Sequence, residues 1–202
     1  PIPLLELFRN NARALPWRPA PGSRTLGDPY RVWVSEIMLQ QTREAAVLDY
    51  YQRFMAALPT VEALAAVEED RLMKLWQGLG YYNRARNLRK AAQQITGECG
   101  GRFPDTYEGL LALAGVGEYT AGAIASIAFG APVPAVDGNV LRVVSRITGD
   151  EGDIARPETK KRMGSALQAV MPRQDPGDFN QAMMELGAMV CLPNGAPRCE
   201  AC

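Results

Sequence analysis

The chain has 202 residues, 47% of them hydrophobic, with 22 basic and 22 acidic side chains and no histidine. That length suits one large domain or two small ones and is enough to bury a real core. The even charge balance neither demands a polyanionic partner nor forbids one, because a local basic patch works on a neutral protein. No apolar run reaches the roughly eighteen residues of a membrane span, so no membrane partner is expected. The opening "PIPLLELFRNNARALPWR" lacks the basic start and small-residue cleavage site of a signal peptide. With no initiator Met and an abrupt end, the chain reads as a fragment. Three of its four cysteines lie in the closing "CLPNGAPRCEAC" (191–202). A secreted disulfide framework would spread its bridges along the chain, so a cytosolic metal or cluster site fits this crowding better.

In chain order the punctuation is helical throughout. "VWVSEIMLQQT" (32–42) carries Val32, Trp33, Ile37, Met38 and Leu39 at helix-like spacing. "YYNRARNLRK" (81–90) interleaves two tyrosines with four basic residues, which suits a nucleic-acid surface or an exposed basic helix face. "DTYEGLLAL" opens with Asp105 and places Glu108 three residues on, a capping-box pattern that sets a helix start at Asp105. "LLALAGVGEYTAGAIASIAFG" (110–130) is a short helix, a Gly-Val-Gly turn and a helix of small residues. "PVPAVDGNVLRVV" offers Asp-Gly between apolar runs, a hairpin signal. Pro132 and Pro134 argue against a strand, and Val140, Val143, Val144 and Ile147 follow helical spacing, so Asp137 is placed at a helix start. "DFNQAMMELGAMV" repeats the capping pattern with Asp178 and Gln181. No segment alternates as a strand would, and the fold class is all-α.

Three features carry chemistry. The glycine turn lets backbone N–H groups approach a phosphate at a helix N-terminus, or it is a plain helix corner with a glycine cap. Glu36 has Val32, Leu39 and Gln40 as helical neighbours. Buried there, its carboxyl would hold a proton and suit acid–base work; at the edge of that face it would simply sit in water. Asp137 reads locally as an N-cap.

Five segments occur in order: "DPYRVWVSEIMLQQT", "LWQGLGYYNRARNL", "AGVGEYTAGAI", "VDGNVLRV" and "FNQAMMELGAMVC". Together, from Leu15 to Cys202, they resemble the catalytic part of MutY-type adenine DNA glycosylases, within the helix–hairpin–helix glycosylase superfamily. Each segment is weak alone; five in register are specific. The resemblance implies an enzyme that flips an adenine mispaired with guanine or 8-oxoguanine out of the duplex and hydrolyses its N-glycosidic bond. By that resemblance Glu36 is the acid that protonates adenine at N7, and Asp137 is the carboxylate that stabilises the oxocarbenium-like sugar. Tyr119 stands where bifunctional relatives such as endonuclease III carry a Schiff-base lysine, which implies a monofunctional enzyme. Asn139 would orient Asp137 or the water. Trp17, Arg18 and Gln181 match positions around the extruded base. Gln41 and Tyr81 match residues that enter the helix, and Gly115 and Gly117 match the phosphate-binding turn.

The resemblance also implies a [4Fe–4S] cluster held by Cys-x6-Cys-x2-Cys-x5-Cys. Cys191, Cys199 and Cys202 would supply three ligands, with the fourth expected past residue 202. Seven residues separate Cys191 from Cys199 instead of six, so zinc on the thiolates stays open. Cys99 falls outside the pattern. Ala114 stands where the family usually has Pro, which is expected to loosen the hairpin slightly. The implied architecture is two helical lobes with the active site in the cleft between them. One is a six-helix bundle, residues 26–132, bearing the hairpin. The other is the cluster lobe, residues 1–25 with 133–202. A C-terminal NUDIX-like domain is expected to be missing. The implied setting is a monomer acting on double-stranded DNA in a bacterial cytoplasm. Two other classes stay open: a thymine–guanine mismatch glycosylase, and a non-catalytic DNA-binding module with a structural metal.

Overall fold

The computed structural model describes residues 2–19 and 25–202, so residue 1 and residues 20–24 of the expected N-terminal part lie outside the described residues. Among the described residues there are eleven α-helices, one closing 3₁₀ turn and no strand. The helices are α1 (Ile2–Asn11), α2 (Pro29–Leu39), α3 (Glu44–Ala57), α4 (Val61–Ala66), α5 (Glu69–Trp76) and α6 (Asn83–Glu98). They continue with α7 (Tyr107–Leu111), α8 (Glu118–Phe129), α9 (Gly138–Thr148), α10 (Pro157–Val170) and α11 (Pro176–Met189).

Two hydrophobic cores form. Helices α2–α8 share the first, which also takes in Leu15, Trp17 and Ala135. Its centre is aromatic: Trp33 meets Phe103 edge-on at 5.5 Å, and Phe54 meets Trp76 edge-on at 6.0 Å. Such edge-to-face pairs add to the area they bury. The second core joins Leu5 of α1, Val140, Leu141, Val143 and Val144 of α9, Met163 and Leu167 of α10, and Phe179, Met183 and Leu186 of α11. Helix α11 packs against α1, α8 and α9 and so fastens the two cores together.

Small residues make that seam close. The run Thr120–Ala128 of α8 is buried throughout. A Cβ added at Gly122 would stand 2.6 Å from the Pro134 carbonyl oxygen. The extended chain before Asp137 therefore lies directly on α8. Asn180 of α11 fixes it there, accepting from the Ala135 N–H at 3.0 Å and donating to the Val133 carbonyl at 2.9 Å and Ser126 Oγ at 2.8 Å.

Helix starts follow local chemistry, in places shifted from the sequence reading. Asp28 caps α2, accepting from the Arg31 N–H at 3.0 Å, with Pro29 in the first turn, so α2 begins before Val32. It ends at Leu39, since Gln40 leaves helical geometry with ψ 116° and Gln41 follows at a positive φ of 58°. The cap of α7 is Thr106, accepting from Gly109 N–H at 3.2 Å, and not Asp105 one residue earlier. Helix α11 starts at Pro176, whose missing N–H suits the first helical position. Asp178 therefore lies inside the first turn, 3.6 Å from the Arg9 guanidinium, and is not a cap. Of the face expected on α9, Val140, Val143 and Val144 are buried, while Ile147 stands 63% exposed at the helix end. The Gly-Val-Gly turn between α7 and α8 is tied to α6, since Ala114 keeps an N–H that a proline would lack and donates it to Gln94 Oε1 at 2.8 Å. The looseness expected of Ala114 thus meets an opposing restraint.

Asn180→Ala should strand the Ala135 N–H and the Val133 carbonyl in a dry seam and lower unfolding stability by about 2–4 kcal/mol. A urea denaturation series checks this, and a loss below about 0.5 kcal/mol, the size of an ordinary surface change, would contradict it.

Candidate active site

Helix α2 is buried from Val32 to Met38, and Glu36 within that run is only 6% exposed. Of the two readings left open for this side chain, the buried one holds. Tyr119 of α8 donates its hydroxyl to Glu36 Oε2 at 2.7 Å. Burial pushes the Glu36 carboxyl up to about 7 from an ordinary value of 4.5. The Tyr119 hydrogen bond and the charge of Arg18 pull it down, and Asp137 pushes it up, but desolvation dominates. Burial and the neighbouring carboxylates likewise raise the Tyr119 hydroxyl well above its usual range. Tyr119 is therefore a neutral donor to Glu36.

Asp137 caps α9. Its Oδ1 accepts from the Val140 N–H at 2.7 Å and its Oδ2 from the Asn139 amide at 2.9 Å. The Asp-Gly pair thus opens a helix, not a hairpin. Asn139 is itself held, because its Oδ1 accepts from Arg142 Nη2 at 3.0 Å. Arg142 also donates to the Gly187 carbonyl at 2.8 Å and the Cys191 carbonyl at 3.0 Å. The sequence reading did not single out Arg142; its position one turn into α9 is the signal it carries.

Glu36, Tyr119, Asp137 and Asn139 line two recesses. The inner one, about 400 Å³, also takes in Trp17, Arg18, Gln181 and Glu185. Trp17 is buried and meets Tyr51 edge-on at 5.0 Å. Arg18 donates to Glu185 Oε1 at 2.8 Å, and Arg13 grips the same carboxylate through Nε and Nη2. Burial works against the charge on Glu185, yet the hydrogen bonds from Arg13 and Arg18 prevail and hold its carboxyl below the usual range. Glu185 was missed in the sequence; a glutamate inside the apolar "AMMELGAM" carries the same signal as Glu36. Gln181 is buried and donates to the Gly177 carbonyl at 3.3 Å.

The outer recess, about 750 Å³, is bordered by Gln41 and Tyr81. Tyr81 is 63% exposed, and both residues hold positive φ, 58° and 46°. Among the described residues they are the non-glycine positions that do so, a conformation that costs of order 1 kcal/mol or more. In the hairpin, Gly115 has φ +74°, and a Cβ there would stand 2.6 Å from Asn87 Cβ. Gly117 caps α8 with open space around its Cα. The basic run of α6 is only partly a free surface. Arg84 turns inward, and Arg86 pairs with Glu69 at 2.8 Å.

Cys191, Cys199 and Cys202 line one recess of about 240 Å³ with Val143 and Ile147. Arg146 donates to Cys191 Sγ at 3.3 Å and to the Leu192 carbonyl at 2.8 Å. Among the described residues no three acidic or thiol groups stand close enough to share one metal ion. Cys99 is exposed at the end of α6, away from this recess.

Residues 34–170 match the model of the HhH-GPD superfamily base excision DNA repair protein. The chain is 46% identical over 202 residues to the adenine DNA glycosylase of Rattus norvegicus, an alignment covering 98% of this chain and 39% of that protein. It is 38% identical to the adenine DNA glycosylase of Buchnera aphidicola subsp. Acyrthosiphon pisum, covering 96% of this chain and 53% of that one. The chain thus spans about two fifths to one half of the length of these curated relatives. Its fold resembles a solved thermostable thymine-DNA glycosylase with a TM-score of 0.85 and 29% identity, covering 98% of this chain and 88% of that one.

The raised Glu36 carboxyl has a stability signature. Folded, it keeps its proton to about pH 7; unfolded, it releases it near 4.5. The folded state binds more protons in that window, so this contribution is fully present below 4.5 and is lost as pH rises through 7. The loss amounts to about 3 kcal/mol. Urea unfolding at about pH 5 and about pH 8 should show it in the wild type and not in Glu36→Gln. Parallel profiles for the two proteins would contradict the assignment.

Proposed function

The chain belongs to the HhH-GPD superfamily of base-excision DNA repair proteins, and from that premise we propose that it is a monofunctional glycosylase that removes adenine from DNA by hydrolysis. The observation that carries this reading is the buried Glu36 carboxyl, held by the Tyr119 hydroxyl and lining one recess with Asp137. A leaving adenine needs a proton, and the sugar it leaves behind needs a negative neighbour. This site offers both groups from two different helices.

In the proposed sequence the mispaired adenine leaves the stack and enters the inner recess, since the sugar–base bond is out of reach inside the duplex. Gln41 and Tyr81 enter the helix beside the vacated place. Trp17, Arg18 and Gln181 surround the base. The Glu185 carboxylate, already fixed by two arginines, is an acceptor for an exocyclic amine. Glu36 gives its proton to N7 as the N-glycosidic bond lengthens, with Tyr119 holding the carboxyl in place. Asp137, steadied by Asn139, faces the oxocarbenium-like sugar, and water completes the displacement. Gly115 and Gly117 hold the DNA backbone at the start of α8. Tyr119 offers no amine, so no Schiff base forms and the backbone stays intact until alkali is added. The opposite base is proposed to be 8-oxoguanine or guanine, the protein a monomer, and its setting a bacterial cytoplasm. Among the described residues no helix is long and apolar enough to cross a membrane.

Cys191, Cys199 and Cys202 border one recess and a guanidinium contacts one sulfur, while the three thiols do not converge on a single ion. We propose that they hold a [4Fe–4S] cluster, with a fourth cysteine beyond residue 202. Such a cluster would supply a redox-capable cross-link between the end of α11 and the closing loop. Purified protein should then be brown and contain iron, and Cys199→Ser should lower its iron per chain. A colourless protein containing zinc would overturn the cluster.

Single-turnover assays on duplexes with adenine opposite 8-oxoguanine, adenine opposite guanine and thymine opposite guanine test the reaction. Strand breaks should appear at adenine, only after alkali, with a rate that falls above about pH 7 as Glu36 loses its proton. Glu36→Gln should lower the rate by about 10²–10⁴-fold, and Asp137→Asn should remove turnover while leaving DNA affinity largely intact. Cleavage at thymine, or breaks without alkali, would contradict the reading.

A further inference from the structure

Among the described residues Arg84 is heavily engaged by backbone carbonyls; it borders the outer recess but not the inner one, and it makes no hydrogen bond to Glu36 or Asp137. Its Nη1 donates to the carbonyls of Ile37 at 2.9 Å, Met38 at 3.1 Å and Gln40. Its Nη2 donates to the carbonyls of Leu79 at 3.1 Å and Gly80 at 3.4 Å and approaches Thr42 Oγ1 at 3.5 Å. The guanidinium lies 5.5 Å from the ring centres of both Trp76 and Tyr81. Trp76 in turn donates its indole N–H to the Gly80 carbonyl at 3.1 Å.

These acceptors fall into two groups. Ile37, Met38 and Gln40 are carbonyls at the C-terminus of α2, where helical partners run out and the helix dipole favours a cation. Leu79 and Gly80 belong to the tight turn that ends in Tyr81. One planar, rigid fork therefore joins two turns that lie about forty residues apart in the chain. The two joined turns contain Gln41 and Tyr81, the non-glycine residues with positive φ among the described residues. Strained positions of this kind persist only where the surroundings over-determine them.

We infer that Arg84 is a positioning residue that locks the Gln41 turn and the Tyr81 turn into one rigid wedge, so that both side chains enter the duplex together when the base is extruded. This rests on the glycosylase reading above. Without Arg84 each turn could relax to an ordinary φ, and the two side chains would no longer arrive in register. A lysine keeps the charge but cannot span both sets of carbonyls with one flat fork.

The test compares two substrates. One carries adenine paired opposite 8-oxoguanine. The other carries the same adenine opposite an abasic gap, where it is already unpaired and extrusion is easy. Arg84→Lys should slow single-turnover cleavage of the paired substrate by about 10–100-fold, as small misplacements do, and that of the gapped substrate by less than about threefold. Extrusion, followed by 2-aminopurine fluorescence beside the target, should fall in parallel. In a double-mutant cycle with Tyr81→Ala the two losses should be non-additive. Equal losses on both substrates, or additive losses, would show that Arg84 only supports α2 and would overturn the proposal. Circular dichroism checks the fold, and Arg84→Gln serves as the second variant should the lysine form melt early. A wild-type protein that cuts neither substrate would overturn the glycosylase reading itself, an outcome separate from the failure of Arg84 alone.

Discussion

The burial of one carboxyl group, Glu36, is the constraint around which the rest of the molecule is arranged. Removing a carboxylate from water is costly, and the group answers by keeping its proton. Here that proton is useful only if the surrounding walls stay dry and fixed. Val32, Ser35 and Ile127, which line the recess with Glu36, are buried, and interiors so packed transmit small displacements. Tyr119 then supplies a single neutral hydrogen bond to the carboxyl, enough to aim it without ionising it. The seam between α8 and α11 matters for the same reason. It brings Asp137, at the head of α9, to the same recess as Glu36 although about one hundred residues separate them in the chain.

Four carboxyl groups line this recess; Glu44 pairs with Arg13 at 2.6 Å, and the partners of the other three set them apart. Glu36 has a phenol and apolar walls. Glu185 has two arginines. Asp137 has a backbone N–H and a side-chain amide, both donating to it. Different surroundings thus hold nearly the same chemical group in three different settings, and in the proposed reaction these would serve as proton donor, fixed acceptor and neighbour to the sugar. Arg142 extends this arrangement outward, since it holds Asn139 on one side and the Gly187 and Cys191 carbonyls on the other. The wall that carries Asp137 is therefore joined through hydrogen bonds to the cysteine-bearing loop.

Much of this was legible in the sequence where local rules and the fold agree. The all-helical class followed from apolar spacing. The cap at Asp137 followed from an Asp before a helical pattern, whereas the apolar neighbours of Glu36 left both a buried and a solvated carboxyl open, and only the packing decided for burial. Where the reading missed, tertiary partners decided. Asp105 and Asp178 fit a capping pattern, but Thr106 and Pro176 set the true starts. Arg84 and Arg86 looked like surface charge, because nothing local shows that Arg84 folds back over the end of α2 or that Arg86 meets Glu69. Glu185 and Arg142 gained their meaning only from residues far away in the chain. The chemical roles given to Trp17, Gln181 and the cysteines came from a family resemblance; the structure adds their surroundings.

The central claim is that Glu36 is protonated near neutral pH because it is buried, and it can be tested without any substrate. The protein would be labelled with ¹³C at the glutamate carboxyl carbons, the Glu36 resonance assigned by comparison with Glu36→Gln, and its shift followed from acid to alkaline pH. The account predicts a midpoint near 7, clearly separated from the other glutamates. A midpoint near the ordinary 4.5 would contradict it, since the group would then carry no proton to give at neutral pH.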